Sequence, residues 1–188
     1  MIYIVDEIGK VIDETRERWL AMDSTQILID NKVIMMDGAN GPPYYMYGHR
    51  REIANRLNIK SKDSTNKFKR YPLIALRLDT TERIVGPVHH FTLNLAIIHA
   101  TRAKYIAEER YTNVFKPILY PIYKIFLEEL RNGGFMWTGN QERPEHTKID
   151  RPYYGTPGTE GTSKNIFADP LDAIEIIDLR ISKRNVCD

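Results

Sequence analysis

Three histidines fall within eleven positions of "HHFTLNLAIIHAT" (89–101), a density that invites a metal site. The local period decides against it. Phe91, Leu93, Leu95 and Ile97 alternate with Thr92, Asn94 and Ala96, and a two-residue period marks a half-buried strand. His90 and His99 then point to opposite faces. His89 and His99 share a face, but at about 3.3 Å per residue they stand roughly 33 Å apart. Zinc holds nitrogen ligands at about 2 Å, so one strand cannot bring them together. The stretch reads as architecture, with rim and turn histidines on a strand, and no metal or other cofactor is expected.

Other chemistry is scarce. A nucleophile needs a base and an orienting acid, yet Cys187 sits beside the C-terminus and no serine occupies a Gly-x-Ser-x-Gly elbow. "GTPGTEGTSKN" (155–165) has glycines but neither a Gly-Lys-Ser/Thr nor a strand-to-helix setting, so it is no phosphate loop. Glu145, His146 and Asp150 of "PEHTKID" are types that run acid–base chemistry, but a trio in a polar loop reads first as solvated. Asp79 follows a strand, without the acid-x-lysine pair that a metal-dependent nuclease would place on the next. The chain is not expected to be an enzyme.

Charge offers more. From Tyr44 to Arg70, eight basic residues (Arg50, Arg51, Arg56, Lys60, Lys62, Lys67, Lys69 and Arg70) face only Glu52 and Asp63. Interleaved Tyr44, Tyr45, Tyr47 and Phe68 are able to stack on bases. All but Arg56 of these basic residues form the candidate DNA-facing set. The net charge of the chain is only +2, so any nucleic-acid contact must be local.

Residues so spaced need elements to position them. At 188 residues, 42% of them hydrophobic, the chain is long enough for one domain with a sizeable core. A single cysteine excludes an intrachain disulfide. No apolar run is long enough for a membrane span, and the acidic start of "MIYIVDEIGK" does not read as a signal peptide. Ile4, Ile8, Val11, Thr15, Trp19 and Met22 recur at helical steps, predicting a helix over about 3–21. "TQILIDNKVIMMDG" suggests a hairpin about Asp30–Asn31, and "GANGPPYY" breaks regular structure. "HRREIANRLNIK" predicts a short helix with Ile53 and Leu57 on one face.

"YPLIALRLD" predicts the first strand of the main sheet, with Pro72 at its start. "TTERIVGPV" links it to the histidine strand, and the two should pair antiparallel. "YTNVFKPILYPIYKIFLEELRNGG" is the strongest helix signal. It buries Phe115, Ile118, Ile122, Ile125 and Leu130, is capped at Thr112 or Asn113, is kinked at Pro121 and ends at Gly133. "DAIEIIDLRIS" predicts a last strand. The fold class is therefore α+β: an antiparallel sheet flanked by an N-terminal and a central helix.

Between them, residues 132–172 are rich in Gly, Pro and Thr and read as an extended loop or arm. That segment nevertheless carries Phe135, Trp137, Tyr153, Tyr154 and Phe167, with Arg151 among them. Five large aromatics oppose solvation, so the arm must lie on something, either its own domain or a neighbouring subunit. These six residues form the candidate subunit-interface arm, read as a clamp between subunits.

The succession "YPLIALRLD", "FTLNLAIIHAT", "EERYTNVFKPILYPIYKIFLEEL" and "DPLDAIEIIDLRIS" resembles tail-terminator and tail-completion proteins of tailed bacteriophages. The wording of "EERYTNVFKPILYPIY", "HTKIDRPYYGT" and "DPLDAIEIIDL" is similar to small structural proteins of phages infecting Bacteroides-type bacteria. Neck and tail-ring proteins of the crAss-like phages belong to that group. The resemblance spans about residues 65–181 and carries no catalytic motif. It implies a structural virion protein, assembled in the host cytoplasm into a hexameric or dodecameric ring at the neck or tail. Its implied partners are its own copies and portal, neck or tail proteins. The long 132–172 segment and the basic 48–70 stretch depart from the compact family pattern. The alternative is a phage DNA-binding or DNA-processing protein that uses the basic 50–70 stretch, or a ring subunit making non-specific contact with packaged DNA.

Overall fold

The helical stripe near the N-terminus folds as expected. In the computed structural model, which describes residues 2–22, 41–62, 71–137, 142–156 and 166–185, α1 spans Ile4–Ala21. It buries Ile8, Val11, Ile12, Thr15 and Trp19, while Asp6 and Glu7 sit in its first turn, where the helix dipole favours negative charge. The expected hairpin about Asp30–Asn31 lies outside the described residues.

Next come β1 (Tyr44–Gly48), α2 (Arg50–Lys62), β2 (Leu73–Arg77), β3 (Thr81–Val85) and β4 (Val88–Ala100). Two of these correct the sequence reading. Tyr44 and Tyr45 do not end a break but open β1, which pairs in parallel with β2. The link "TTERIVGPV" is itself a strand, β3, turned back onto β4 through Gly86–Pro87. The antiparallel pairing of β2 with β4 is as expected.

The central helical region begins earlier than Thr112. α3 (Ala107–Arg110) starts after Ile106, whose N–H donates to the Glu109 carboxylate at 3.0 Å. A π-helical stretch, Tyr111–Leu119, leads into α4 (Tyr120–Asn132). Pro117 lies inside the π stretch and has no N–H for the ordinary helical bond. The register widens there, and the Tyr120 N–H reaches back to the Phe115 carbonyl. Pro121 follows at once, at the start of α4, inside one continuous helical run from Ala107 to Asn132 in which the π stretch precedes it. All five expected stripe residues are buried. The helix ends at Gly133 as read, with Gly134 at φ 77° beyond it.

β5 (Thr147–Tyr154) and β6 (Leu171–Arg184) complete the chain. β5 lies inside the segment read as an irregular arm, so the irregular part is shorter than expected. Its partner β6 supplies every ladder bond that the Gly/Pro-rich composition concealed.

The sheet order is β1-β2-β4-β6-β5, with β3 on the same edge of β4 as β2. All pairs but β1–β2 are antiparallel. Two cores sandwich the sheet. Ile74, Leu76, Phe91, Leu93, Leu95 and Ile97 face α1, the π stretch and α4, whereas Leu73, Ala75, Ala96 and Ile98 face α2. Along β6, Ile174 and Ile176 face the larger core, and so do Leu179 and Ile181. The parity change is made by a bulge: Asp178 sits at φ 55°, and its N–H donates to Asn94 Oδ1 at 3.0 Å.

Candidate assembly interface

The residues singled out for chemistry are built into structure. His99 is not at a rim but fully buried, directly opposite Asp172 in the β4–β6 ladder. His89 is also buried and bonds Glu82 at 2.6 Å, while exposed His90 bonds Ser182 at 2.8 Å. Among the described residues, no three His, Cys, Asp or Glu side chains are placed to hold a metal. The trio Glu145, His146 and Asp150 is dispersed rather than simply solvated. Glu145 pairs with Arg180, His146 lies 2.6 Å from the Tyr123 hydroxyl, and Asp150 accepts from the Tyr120 hydroxyl at 2.7 Å.

The basic stretch divides. Arg50 turns its guanidinium inward over the Tyr154 ring, 5.1 Å from the centroid, so it does not face outward as read. Arg51 is exposed, Arg56 pairs with Glu52 at 2.6 Å, and Lys62 ends α2. Lys67, Lys69 and Arg70, with Phe68, lie outside the described residues. Lys60 lines a groove of about 650 Å³ along β1, between α1 and α2, with Tyr45, Tyr47 and Lys10. Asp6 and Asp13 line it too, so its charge is mixed and does not form a continuous phosphate track. Tyr45 donates to the Val5 carbonyl at 3.0 Å, and burial, then the nearby Asp6 charge, pushes its hydroxyl pKa up.

The arm aromatics settle mostly on their own chain, contrary to the clamp reading. Phe135 is buried in the larger core. Tyr154 and Phe167 stack at 5.6 Å in the smaller one. Trp137 lies beside the Arg131 guanidinium at 5.2 Å. Tyr153, partly exposed, covers the guanidinium of Arg110 at 3.7 Å. Arg151 bonds Glu175 at 2.8 Å, and Arg77 grips the same carboxylate. Burial alone would raise the Glu175 pKa, but the two arginines outweigh it and hold it below the usual carboxylate range.

Sequence reasoning missed two features. One is the buried ion pair of Arg110 and Asp172 at 2.6 Å, which ties α3 to β6. The only signal for it was an acid set at the start of an otherwise apolar run. The other is the state of the sheet edges. Every residue of β3 is exposed, including apolar Ile84 at 60% and Val85 at 48%, and Leu78 just before it is 54% exposed. Among the described residues no strand pairs with the outer side of β3, and an edge strand of this kind is a template for another strand. The strand path ends at β1, beside β2 on the same side of β4 as β3, and at β5 on the far side, where Lys148 and Asp150 lie on one face and Ile149 and Arg151 on the other. β3 and β5 run in opposite directions, since β3 and β6 both oppose β4 and β5 opposes β6.

No protein-family model and no curated protein matches this sequence.

Proposed function

We propose that this chain is a structural virion protein, a ring-forming subunit of a bacteriophage neck or tail that acts in head–tail joining or as a tail terminator, without catalytic turnover. The observation that carries the reading is that, among the described residues, the sheet is open on both sides, at β1 and β3 on one and at β5 on the other. Open edges on opposite sides allow head-to-tail association, which closes into a ring when the rotation permits. The resemblance of residues 65–181 to tail-terminator and neck proteins supports the same reading, and so does the engagement of the catalytic-type side chains in structural bonds.

Sedimentation and electron microscopy of the purified chain test this. The expected result is a concentration-dependent closed oligomer, hexameric or dodecameric, and the presence of the protein in purified particles. A chain that stays monomeric at every concentration would remove the reading. A second reading, non-specific DNA contact, is favoured by Tyr45 and Tyr47, whose rings lie 6.3 Å apart in the groove beside Lys10 and Lys60. For that reading, duplex binding should fall steeply with salt and weaken in Lys60→Glu.

A further inference from the structure

Beyond the ring reading, we infer that the outer edge of β1 docks an extended strand of another protein, basic on one face and both acidic and apolar on the other. The backbone of β1 prepares this edge. Tyr44 donates its N–H to the Pro72 carbonyl at 2.8 Å, so Tyr44, Met46 and Gly48 turn their backbone groups toward β2. Successive strand residues turn those groups to opposite edges, so Tyr45 and Tyr47 direct theirs outward. Each offers one donor and one acceptor, and among the described residues no strand lies on that side. β3 is an edge too, but both of its faces meet solvent, so it offers a guest strand no walls.

The walls of the β1 groove select the guest. α1 forms one and α2 the other, enclosing about 650 Å³, within the usual range of ligand sites. A strand added there points alternate side chains at the two walls. The α1 wall presents exposed Asp6 and Asp13, about two helical turns apart, and Lys10 between them is drawn to Glu7 at 2.7 Å. The α2 wall presents Arg56 and Lys60 beside Ile59, which is 69% exposed. The guest face toward α1 must therefore be basic, and the face toward α2 acidic and apolar. Gly9 thins the α1 wall. Glycine weakens a helix interior, yet a Cβ here would meet the Tyr45 ring at 3.4 Å, an ordinary contact. Packing within the chain does not demand glycine, whereas a wall bare of side chain lets a strand come close. Main-chain bonds then supply affinity and the two walls supply specificity. A nucleic acid fits worse, because its phosphates would face Asp6 and Asp13.

The probe is a blocked synthetic peptide, Thr-Lys-Val-Lys-Glu-Lys-Val, whose lysines share one face, and its control exchanges every Lys and Glu. Fluorescence polarisation should show the first bound at least about tenfold more tightly than the control. Tyr47→Pro removes an outward N–H and no ladder bond, so it should weaken binding about tenfold. Tyr47→Val keeps that N–H and should keep most of the affinity. Far-ultraviolet circular dichroism checks that both variants are folded. Asp13→Lys combined with Lys60→Glu, both on the surface, should reverse the preference between the two peptides. Equal affinity for both peptides, or a Tyr47→Pro chain that binds as tightly as Tyr47→Val, overturns the assignment. So does duplex DNA that displaces the peptide, which would give the groove to nucleic acid. Peptide binding seen only after dilution to monomers would give it to a second copy, and the assignment to another protein would fall.

Discussion

Gly155 shows how a single residue sets local packing. Its φ is 77°, and a Cβ there would stand 2.4 Å from the Phe167 ring. Gly155→Ala therefore combines left-handed strain with overpacking, and about 1–3 kcal/mol of stability should be lost. Thermal unfolding measures it, and an unchanged midpoint would show that Phe167 yields freely. His99 is the second case. Burial pushes its pKa down to about 4, from an ordinary 6.5, and neither ring nitrogen has a hydrogen-bond partner among the described residues. The unfolded chain thus binds the proton more readily than the folded one. Stability from keeping this ring neutral is whole above pH 6.5 and is lost as pH falls from 6.5 toward 4. The full loss is on the order of 3 kcal/mol. Urea titrations at stepped pH should show that slope in the wild type and a flatter one in His99→Leu.

Among elements, the join between α3 and β6 rests on Arg110. Its guanidinium bonds Asp172 at 2.6 Å and the Tyr105 carbonyl at 2.9 Å, and Tyr153 covers its face. The backbone N–H of Tyr153 donates to the same Asp172 oxygen at 3.0 Å, so β5 shares the anchor. Removing one member leaves a buried charge without compensation, which costs about 3–5 kcal/mol, whereas replacing the whole pair by apolar groups is often neutral. Arg110→Met should therefore be strongly destabilising in a denaturant titration. Arg110→Met with Asp172→Leu should recover most of the loss. A double variant no better than the single would place the energy in the packing of the arginine stem instead.

For the whole molecule, the position of β5 changes what a truncation should do. An arm that merely gripped a neighbour could be deleted from 138 to 165 and leave a folded core. That deletion instead removes β5, the Arg151–Glu175 pair and Tyr154 from the smaller core. Exposing β6 as a new apolar edge adds to the loss. The truncated chain should accordingly fail to show cooperative unfolding by calorimetry. A sharp transition near that of the full chain would mean that β5 is dispensable for folding.

Much of this fold is readable from periodicity alone. The stripe from Ile8 to Trp19, the alternation from Phe91 to Ile97 and the buried row from Phe115 to Leu130 each determine an element, because burial on one face demands that spacing. The α+β class follows from their order. Strand β5 was hidden for a physical reason: "TKIDRPYY" has no buried alternation of its own, being an edge strand whose hydrogen bonds come from β6. β3 was hidden likewise, since both of its faces meet solvent and no hydrophobic pattern is required. The destinations of the polar residues were equally beyond local reading. Arg50 counts as a surface cation until Tyr154, about a hundred positions away, is brought beneath it. Composition determined that aromatics in the 132–172 segment must be covered. Only the tertiary structure decided that Phe135, Tyr154 and Phe167 are covered by their own chain, because coverage depends on which distant surfaces the sheet order brings close.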